Sequence, residues 1–243
     1  MQTRLDLYLF DNKIVKSRSV AAKMIKEGKI SVNGVVCAKP SYAVSQTDNV
    51  EVTGDMPKYV GRGGLKLEKA LEFFGIDLSD SLCIDIGAST GGFTDCMLQS
   101  GAKTVYAVDV GSNQLDEKLK ADKRVVSMEK TDIRNVKDDI PLADFISIDV
   151  SFISLKLVLP SAFRLLKEKG SVVALIKPQF EAGKNNLNKK GIVKDEKVRC
   201  QVCEEIRQFS ITCGMDIVGI IESPISGGDG NIEYLIYLRK GEN

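Results

Sequence analysis

Four charged residues stand where the chain reads as the end or the flank of a strand: Lys66, Asp149, Lys177 and Glu233. The apolar runs Phe145-Ile146-Ser147-Ile148 and Val172-Val173-Ala174-Leu175-Ile176 finish on Asp149 and Lys177, and Glu233 opens the run Ile232 to Leu238. Two lysines and two carboxylates around one cleft suit the handling of a hydroxyl group. A sugar hydroxyl is a poor nucleophile, and a lysine whose charged form is disfavoured by burial or a like charge accepts its proton or orients its lone pair. We expect Lys177 in that role, Asp149 steering it, and Lys66 and Glu233 setting the local charge and holding the sugar. Taken singly, each residue reads better as an ordinary salt-bridged strand end, and only convergence favours chemistry. The chain has no histidine, so imidazole mechanisms are excluded.

A second constellation lies upstream. The buried-looking strand Leu82-Cys83-Ile84-Asp85-Ile86 runs into Gly87-Ala88-Ser89-Thr90-Gly91-Gly92-Phe93 before a helix. Glycines at such a junction let backbone approach a ligand, and the free amides of the helix face it. The spacing GxxxGG is neither the GxGxxG of a nicotinamide dinucleotide site nor a loop with the Lys-Ser/Thr of a phosphate grip. Asp109, ending the next strand, is placed for two ribose hydroxyls, and Asp132 after the third strand for an adenine edge or as a turn residue. With Asp85, this set fits S-adenosylmethionine best. Methyl transfer then needs little beyond positioning.

Strands and helices must hold these groups at one rim. Strands are expected near 82–86, 103–109, 124–128, 144–149, 171–176, 215–222 and 232–239, alternating with helices from one bearing Leu67, Ala70, Leu71 and Phe74 onward. The fold class is therefore α/β, a Rossmann-like seven-stranded, mostly parallel sheet. Its last strand is antiparallel, because Gly227-Gly228-Asp229-Gly230 is too short for a parallel crossover. The stretch Ala182 to Gly191, rich in Gly, Asn and Lys, reads as a flap ordered by RNA or as a plain disordered loop.

Residues 1–55 form a separate α+β unit: a helix over Arg4–Phe10, a second after the capping Ser17, and an Ile30–Cys37 hairpin turning at Asn33-Gly34. Another short strand covers Asp48–Val52. Residues 56–64 read as a Pro/Gly linker and 65–243 as the large domain. Net charge is +1 overall, yet residues 1–40 carry eight Lys/Arg against three acids. Arg4, Lys13, Lys16, Arg18, Lys23, Lys26 and Lys29, with Arg62 in the linker, are the candidate RNA contacts, although charge counts alone favour a solvated face.

The pattern Arg4-Leu5-Asp6, Ser17-Arg18-Ser19 and Val32-Asn33-Gly34 resembles the small RNA-binding fold of ribosomal protein S-four. The runs Gly61 to Leu67, Asp85 to Thr94, Asp149 to Ser154, Lys177 to Glu181 and Gly230 to Tyr234 resemble the TlyA family across essentially the whole chain. Its members join that module to an FtsJ-like methyltransferase domain, and many are labelled haemolysins. The resemblance implies a Lys-Asp-Lys-Glu tetrad at Lys66, Asp149, Lys177 and Glu233, and 2′-O-methylation of cytidine in ribosomal RNA or a ribosomal subunit. It further implies the family's shorter form, acting at the large-subunit site. The chain departs from many relatives at Gly61-Arg62-Gly63-Gly64, which loosens the expected linker.

Composition bounds the alternatives. With 43% hydrophobic and 28% charged residues the chain builds a substantial core. No stretch approaches the roughly 18 to 20 apolar residues of a membrane span, so a cytoplasmic protein without stable membrane association is expected and lysis is unsupported. Of six cysteines only Cys200 and Cys203 stand close, with no second pair, so no metal is expected. Asp149-Val150-Ser151-Phe152 lacks the Asn/Asp-Pro-Pro-aromatic run of base-amino methyltransferases. A non-catalytic RNA-binding assembly factor is the remaining rival.

Overall fold

The computed structural model describes residues 2–15, 17–53, 57–136 and 140–241. The chain divides into two compact units, Met1–Pro57 and Lys58–Asn243.

In the first unit, β1 (Thr3–Arg4) leads into α1 (Leu5–Asp11) and α2 (Arg18–Lys26), followed by β2 (Ile30–Val32), β3 (Val35–Val36), β4 (Ala43–Val44) and β5 (Val50–Val52). Ser17 caps α2, its Oγ accepting from Val20 N at 3.2 Å. Asn33 (φ 53°) and Gly34 (φ 79°) make the left-handed turn that matches hairpin twist, and β2 pairs with both β3 and β5. Leu5, Leu9, Met24, Ile25 and Ile30 are fully buried between the helices and these strands. The β1 to β4 pairing was not expected: Thr3 and Arg4 meet Val44 and Ala43, segments too short to show any periodicity.

The second unit contains α3 (Gly64–Phe74), β6 (Leu82–Ile86), α4 (Gly92–Gln99), β7 (Thr104–Val108), α5 (Glu117–Lys120), β8 (Val125–Met128) and β9 (Ala143–Ile148). It continues through α6 (Leu155–Arg164), β10 (Leu166–Ile176), α7 (Pro178–Glu181), α8 (Glu196–Thr212), β11 (Met215–Glu222) and β12 (Tyr234–Lys240). All seven strands join one sheet in the order β11-β12-β10-β9-β6-β7-β8. The pairs β10 to β9, β9 to β6, β6 to β7 and β7 to β8 are parallel, while β12 enters antiparallel between β10 and β11. Alternation along the central strands feeds two cores. Ile84, Ile86, Ile146, Ile148 and Ala174 face α6 and α8, whereas Cys83, Phe145, Val173 and Leu175 face α3 and α4.

Residues 58–64, expected as linker, are part of this second unit, and Met56 lies outside the described residues. Tyr59 is buried, Val60 N donates to Asp95 Oδ2 at 2.9 Å, and a Cβ on Gly61 would lie 2.7 Å from Thr90 Oγ1. The glycines seen as loosening the chain instead let it lie flat against the glycine loop.

Candidate active site

The parallel strands β6, β7, β9 and β10 all end at one rim, and the loops that follow them carry the site. The loop after β6 bends back because Gly87 (φ 85°) and Gly91 (φ 93°) adopt left-handed conformations. Gly87 N and Ala88 N both donate to Val108 O, at 2.9 and 3.2 Å. A Cβ on Gly87 would come within 2.5 Å of Asp149 O, so the loop touches the end of β9 directly.

Asp109 holds this loop from β7: Oδ2 accepts from Ser89 N and Oδ1 from Gly111 N, both at 2.7 Å. A carboxylate offers about four lone-pair sites, so two remain for hydroxyl donors in the cleft that Asp109 lines. Asp132 lines the same cleft but caps the 3₁₀ turn Ile133–Asn135 and pairs with Arg134, Nη2 to Oδ2 at 2.6 Å. That hydrogen bond holds its carboxyl below the usual range, and of the two readings of Asp132 the turn residue is what the geometry displays.

Asp85 differs from expectation. It is fully buried, accepting from Thr94 Oγ1 at 2.6 Å and Ser147 Oγ at 2.9 Å, and lines neither cavity at this rim. Strand alternation turns its side chain into the α4 face, where it ties α4 to β6 and β9. Burial pushes its carboxyl up to about 6, against the pull of both hydroxyls. Between roughly pH 4 and 6 the folded chain therefore keeps a proton that the unfolded chain releases, and stability falls as pH rises through that window. Asp85→Asn can accept from one hydroxyl and donate to the other. Its melting temperature relative to the wild type should climb from pH 4 to 6.5 and then level off; a difference independent of pH would contradict this assignment.

The four charged candidates gather as two ion pairs. Lys177 Nζ lies 2.6 Å from Asp149 Oδ1 and donates to Ser151 Oγ at 2.8 Å. The angle to Asp149 leaves Oδ1 ion-paired without an aligned hydrogen bond. Lys66 Nζ donates to Glu233 Oε2 at 2.6 Å, and Gln179 Nε2 donates to Oε1 at 3.1 Å. Register links the pairs: Ile176 faces Tyr234, so Lys177 and Glu233 are the next residues on adjacent strands. Access to the cavities separates them, since the Lys66 and Lys177 side chains are 10% and 11% exposed: Asp149 and Ser151 line both cavities and Lys177 the smaller one, whereas Lys66 and Glu233 line neither.

Two cavities meet here, of about 460 Å³ toward β7 and β8 and about 220 Å³ toward α3, sharing Gly87, Ser89, Asp149 and Ser151. Arg62 is exposed and lines the smaller one. Ala88, Thr90, Gly92 and Phe93 line it as well. The donor set fits S-adenosylmethionine: a glycine crossing with no room for a Cβ, a carboxylate with spare lone pairs, and a cleft of ligand size.

Sequence reasoning missed Ser151, Phe152, Phe180 and Gln179. Phe152 is 91% exposed at the lip of the larger cavity, has φ 63°, and packs 5.0 Å from the Phe180 ring, which lies 5.8 Å from Lys177 Nζ. A bulky residue in that backbone region is strained, as at sites where function dictates geometry. The run after Asp149 was visible, but nothing in its composition announces a positive φ.

In the first unit, Arg4 and Arg18 converge on buried Asp6, at 2.9 and 3.5 Å, each still 54% exposed. Lys13 and Lys26 are exposed, Lys23 and Lys29 half-buried, and Lys16 lies outside the described residues.

A sheet of this order, with an inserted antiparallel strand and a glycine loop after its first strand, defines an S-adenosylmethionine-dependent methyltransferase. The family model described as FtsJ-like methyltransferase matches residues 59–240, and that of the S4 domain residues 3–50. Hemolysin A of Brachyspira hyodysenteriae is 45% identical over 97% of this chain and 99% of its own length. The 16S/23S rRNA (cytidine-2′-O)-methyltransferase TlyA of Mycobacterium tuberculosis is 38% identical over 98% and 90%. A solved structure from Streptococcus thermophilus, provisionally named a hemolysin, superposes with a TM-score of 0.78 at 44% identity, covering 100% of this chain and 90% of that one. The chain belongs to the TlyA family of FtsJ-like methyltransferases, with an S4 domain ahead of the catalytic fold.

Proposed function

We propose that this enzyme methylates the 2′-hydroxyl of a cytidine in ribosomal RNA, presented as free RNA or within a ribosomal subunit in the cytoplasm. The observation that carries the reading is Lys177, lining the smaller cavity, held by Asp149 and Ser151 on the wall shared by the two cavities. In this reading residues 1–55 hold the RNA and residues 65–243 perform the transfer.

When bound, S-adenosylmethionine supplies an electrophilic methyl group on a sulfonium. The Gly87–Phe93 loop and Asp109 hold it, with Asp132 and Arg134 on the far wall. Asp149 and Ser151 fix the position of Lys177 Nζ; as the neutral amine, its extra proton first passed to solvent, Nζ orients the ribose hydroxyl and receives its proton as the oxygen takes the methyl group. Lys66 and Glu233, clamped by Gln179, form a neutral pair behind that group and set the field around it without facing the cavities. Arg62, at the mouth of the smaller cavity, faces the backbone of the target nucleotide. Mapping ribose methyls in ribosomal RNA from cells with and without the gene tests the reading: loss of one 2′-O-methylcytidine is expected, and an unchanged map contradicts it.

Phe152 offers an exposed ring for a base lifted out of its stack beside this cluster. Stacking on an aromatic side chain is worth about 1 to 3 kcal/mol. Phe152→Gly should therefore lower kcat/KM for RNA about tenfold or more. Because glycine relieves the left-handed strain, its melting temperature should stay level or rise. Lost stability with intact activity would assign Phe152 to packing instead.

A further inference from the structure

Residues 182–194, which begin five positions beyond Lys177, contain four lysines and no acid. Lys184, Lys189, Lys190 and Lys194 are all exposed, and Lys189 and Lys190 have no ion-pair partner among the described residues. This stretch was expected to be a flap or a disordered loop, yet it is anchored. Asn188 Oδ1 accepts from Lys190 N at 2.8 Å and Ile192 N at 3.0 Å, and Asn188 N donates to Ile192 O at 3.0 Å. Gly191 (φ 73°) closes the tip, with its N–H donating to Asn188 O.

The tip is then pinned to the segment that leads through Glu233 into β12. Asn231, 1% exposed, accepts from Val193 N and donates to Gly191 O, each at 3.1 Å. Arg199, 9% exposed, donates from Nη1 to Val193 O at 3.2 Å and Lys194 O at 2.6 Å, and from Nε to Tyr234 Oη at 3.2 Å. Asn231 and Tyr234 bracket Glu233. The backbone of two adjacent cations is thus held in a fixed position relative to the catalytic rim, and among the described residues neither forms an ion pair. Such an arrangement is preorganised for a polyanion, because the ordering cost is met within the fold before binding.

We propose that the Lys189 and Lys190 tip clamps the phosphate backbone of the RNA strand entering the catalytic rim, an inference that rests on the function proposed above. Lysines act there as point charges without base readout, fixing the register of the strand while the cleft selects the nucleotide. The catalytic fold therefore holds RNA through a surface of its own, separate from the basic residues of the first unit.

The test is a binding titration of the full chain with in vitro transcribed, unmodified ribosomal RNA at several salt concentrations. Lys189→Gln/Lys190→Gln should weaken binding about tenfold and reduce the slope of log K against log salt by about 1.4 to 1.8, the release expected for two phosphates. Cofactor affinity and turnover at saturating RNA should not change. Lys118→Gln/Lys123→Gln, an equal charge change at the β8 edge of the sheet, should leave the slope near the wild-type value. A Lys189/Lys190 variant that matches the wild type or this control overturns the inference. Binding is read without turnover, so a chain that grips RNA through these lysines but transfers no methyl group would sink the proposed function alone.

Discussion

Replacing Lys177 with alanine lowers single-turnover methylation of ribosomal RNA by roughly three orders of magnitude, within the range of about 10² to 10⁴ for a positioned proton-transfer group. The physical reason is local. Lys177 Nζ is held in the smaller cavity by Asp149 Oδ1 and Ser151 Oγ, two residues that line both cavities, and no histidine exists to take its place. Cofactor affinity should change less than about twofold, since the glycine loop and Asp109 are held by backbone amides that do not involve Lys177. Asp149→Ala should fall into the same range, and the double variant should be no worse than either single one, because residues acting as a unit are not additive. Stopped RNA methylation time courses with saturating cofactor, beside calorimetric cofactor titrations, separate the two effects. A Lys177→Ala enzyme near the wild-type rate removes Lys177 from the mechanism; one that loses cofactor binding in proportion makes it a binding residue.

Removing residues 1–57 should lower kcat/KM for RNA by at least about a hundredfold while the remaining chain still binds S-adenosylmethionine. The expectation follows from where the apolar residues lie. The first unit buries Leu5, Leu9, Met24, Ile25 and Ile30 in a core of its own, and the second fills both faces of its sheet without them. The exposed cations Arg4, Lys13, Arg18 and Lys26 leave with the deleted unit. Four phosphate contacts account for a steep salt dependence and much of the affinity for RNA. Circular dichroism and cofactor titration of residues 58–243 check the fold, and methylation at a range of RNA concentrations checks the loss. Full activity in the shortened enzyme would leave the S4 domain without the proposed role.

How far these features could be read beforehand differs with their physical origin. Period and turn chemistry are local, so the seven strands, the Ser17 cap and the Asn33-Gly34 hairpin were legible. So was the antiparallel entry of β12, which follows from the length of the preceding turn. The four charged residues were legible as strand ends, but their partition into a buried pair and a cavity-facing pair depends on packing across β10, β12 and α3. Asp85 was misread because its identity suggests a ligand contact, whereas alternation along β6 directs it inward to Thr94 and Ser147. Residues 58–64 have the composition of a linker, and only contact with Thr90 and Gly92 shows that their glycines serve close approach. The lysine-rich stretch after α7 has the composition of a mobile loop. What holds it, Asn231 and Arg199, lies many residues further along the chain.

The Lys177 site is tested most directly by identifying the product. Unmodified ribosomal RNA, methyl-labelled S-adenosylmethionine and purified enzyme, followed by digestion to nucleosides, should yield label in 2′-O-methylcytidine with the wild type and almost none with Lys177→Ala. Label on a base, or equal ribose label from both enzymes, would contradict the assignment of this rim and its lysine to ribose methylation.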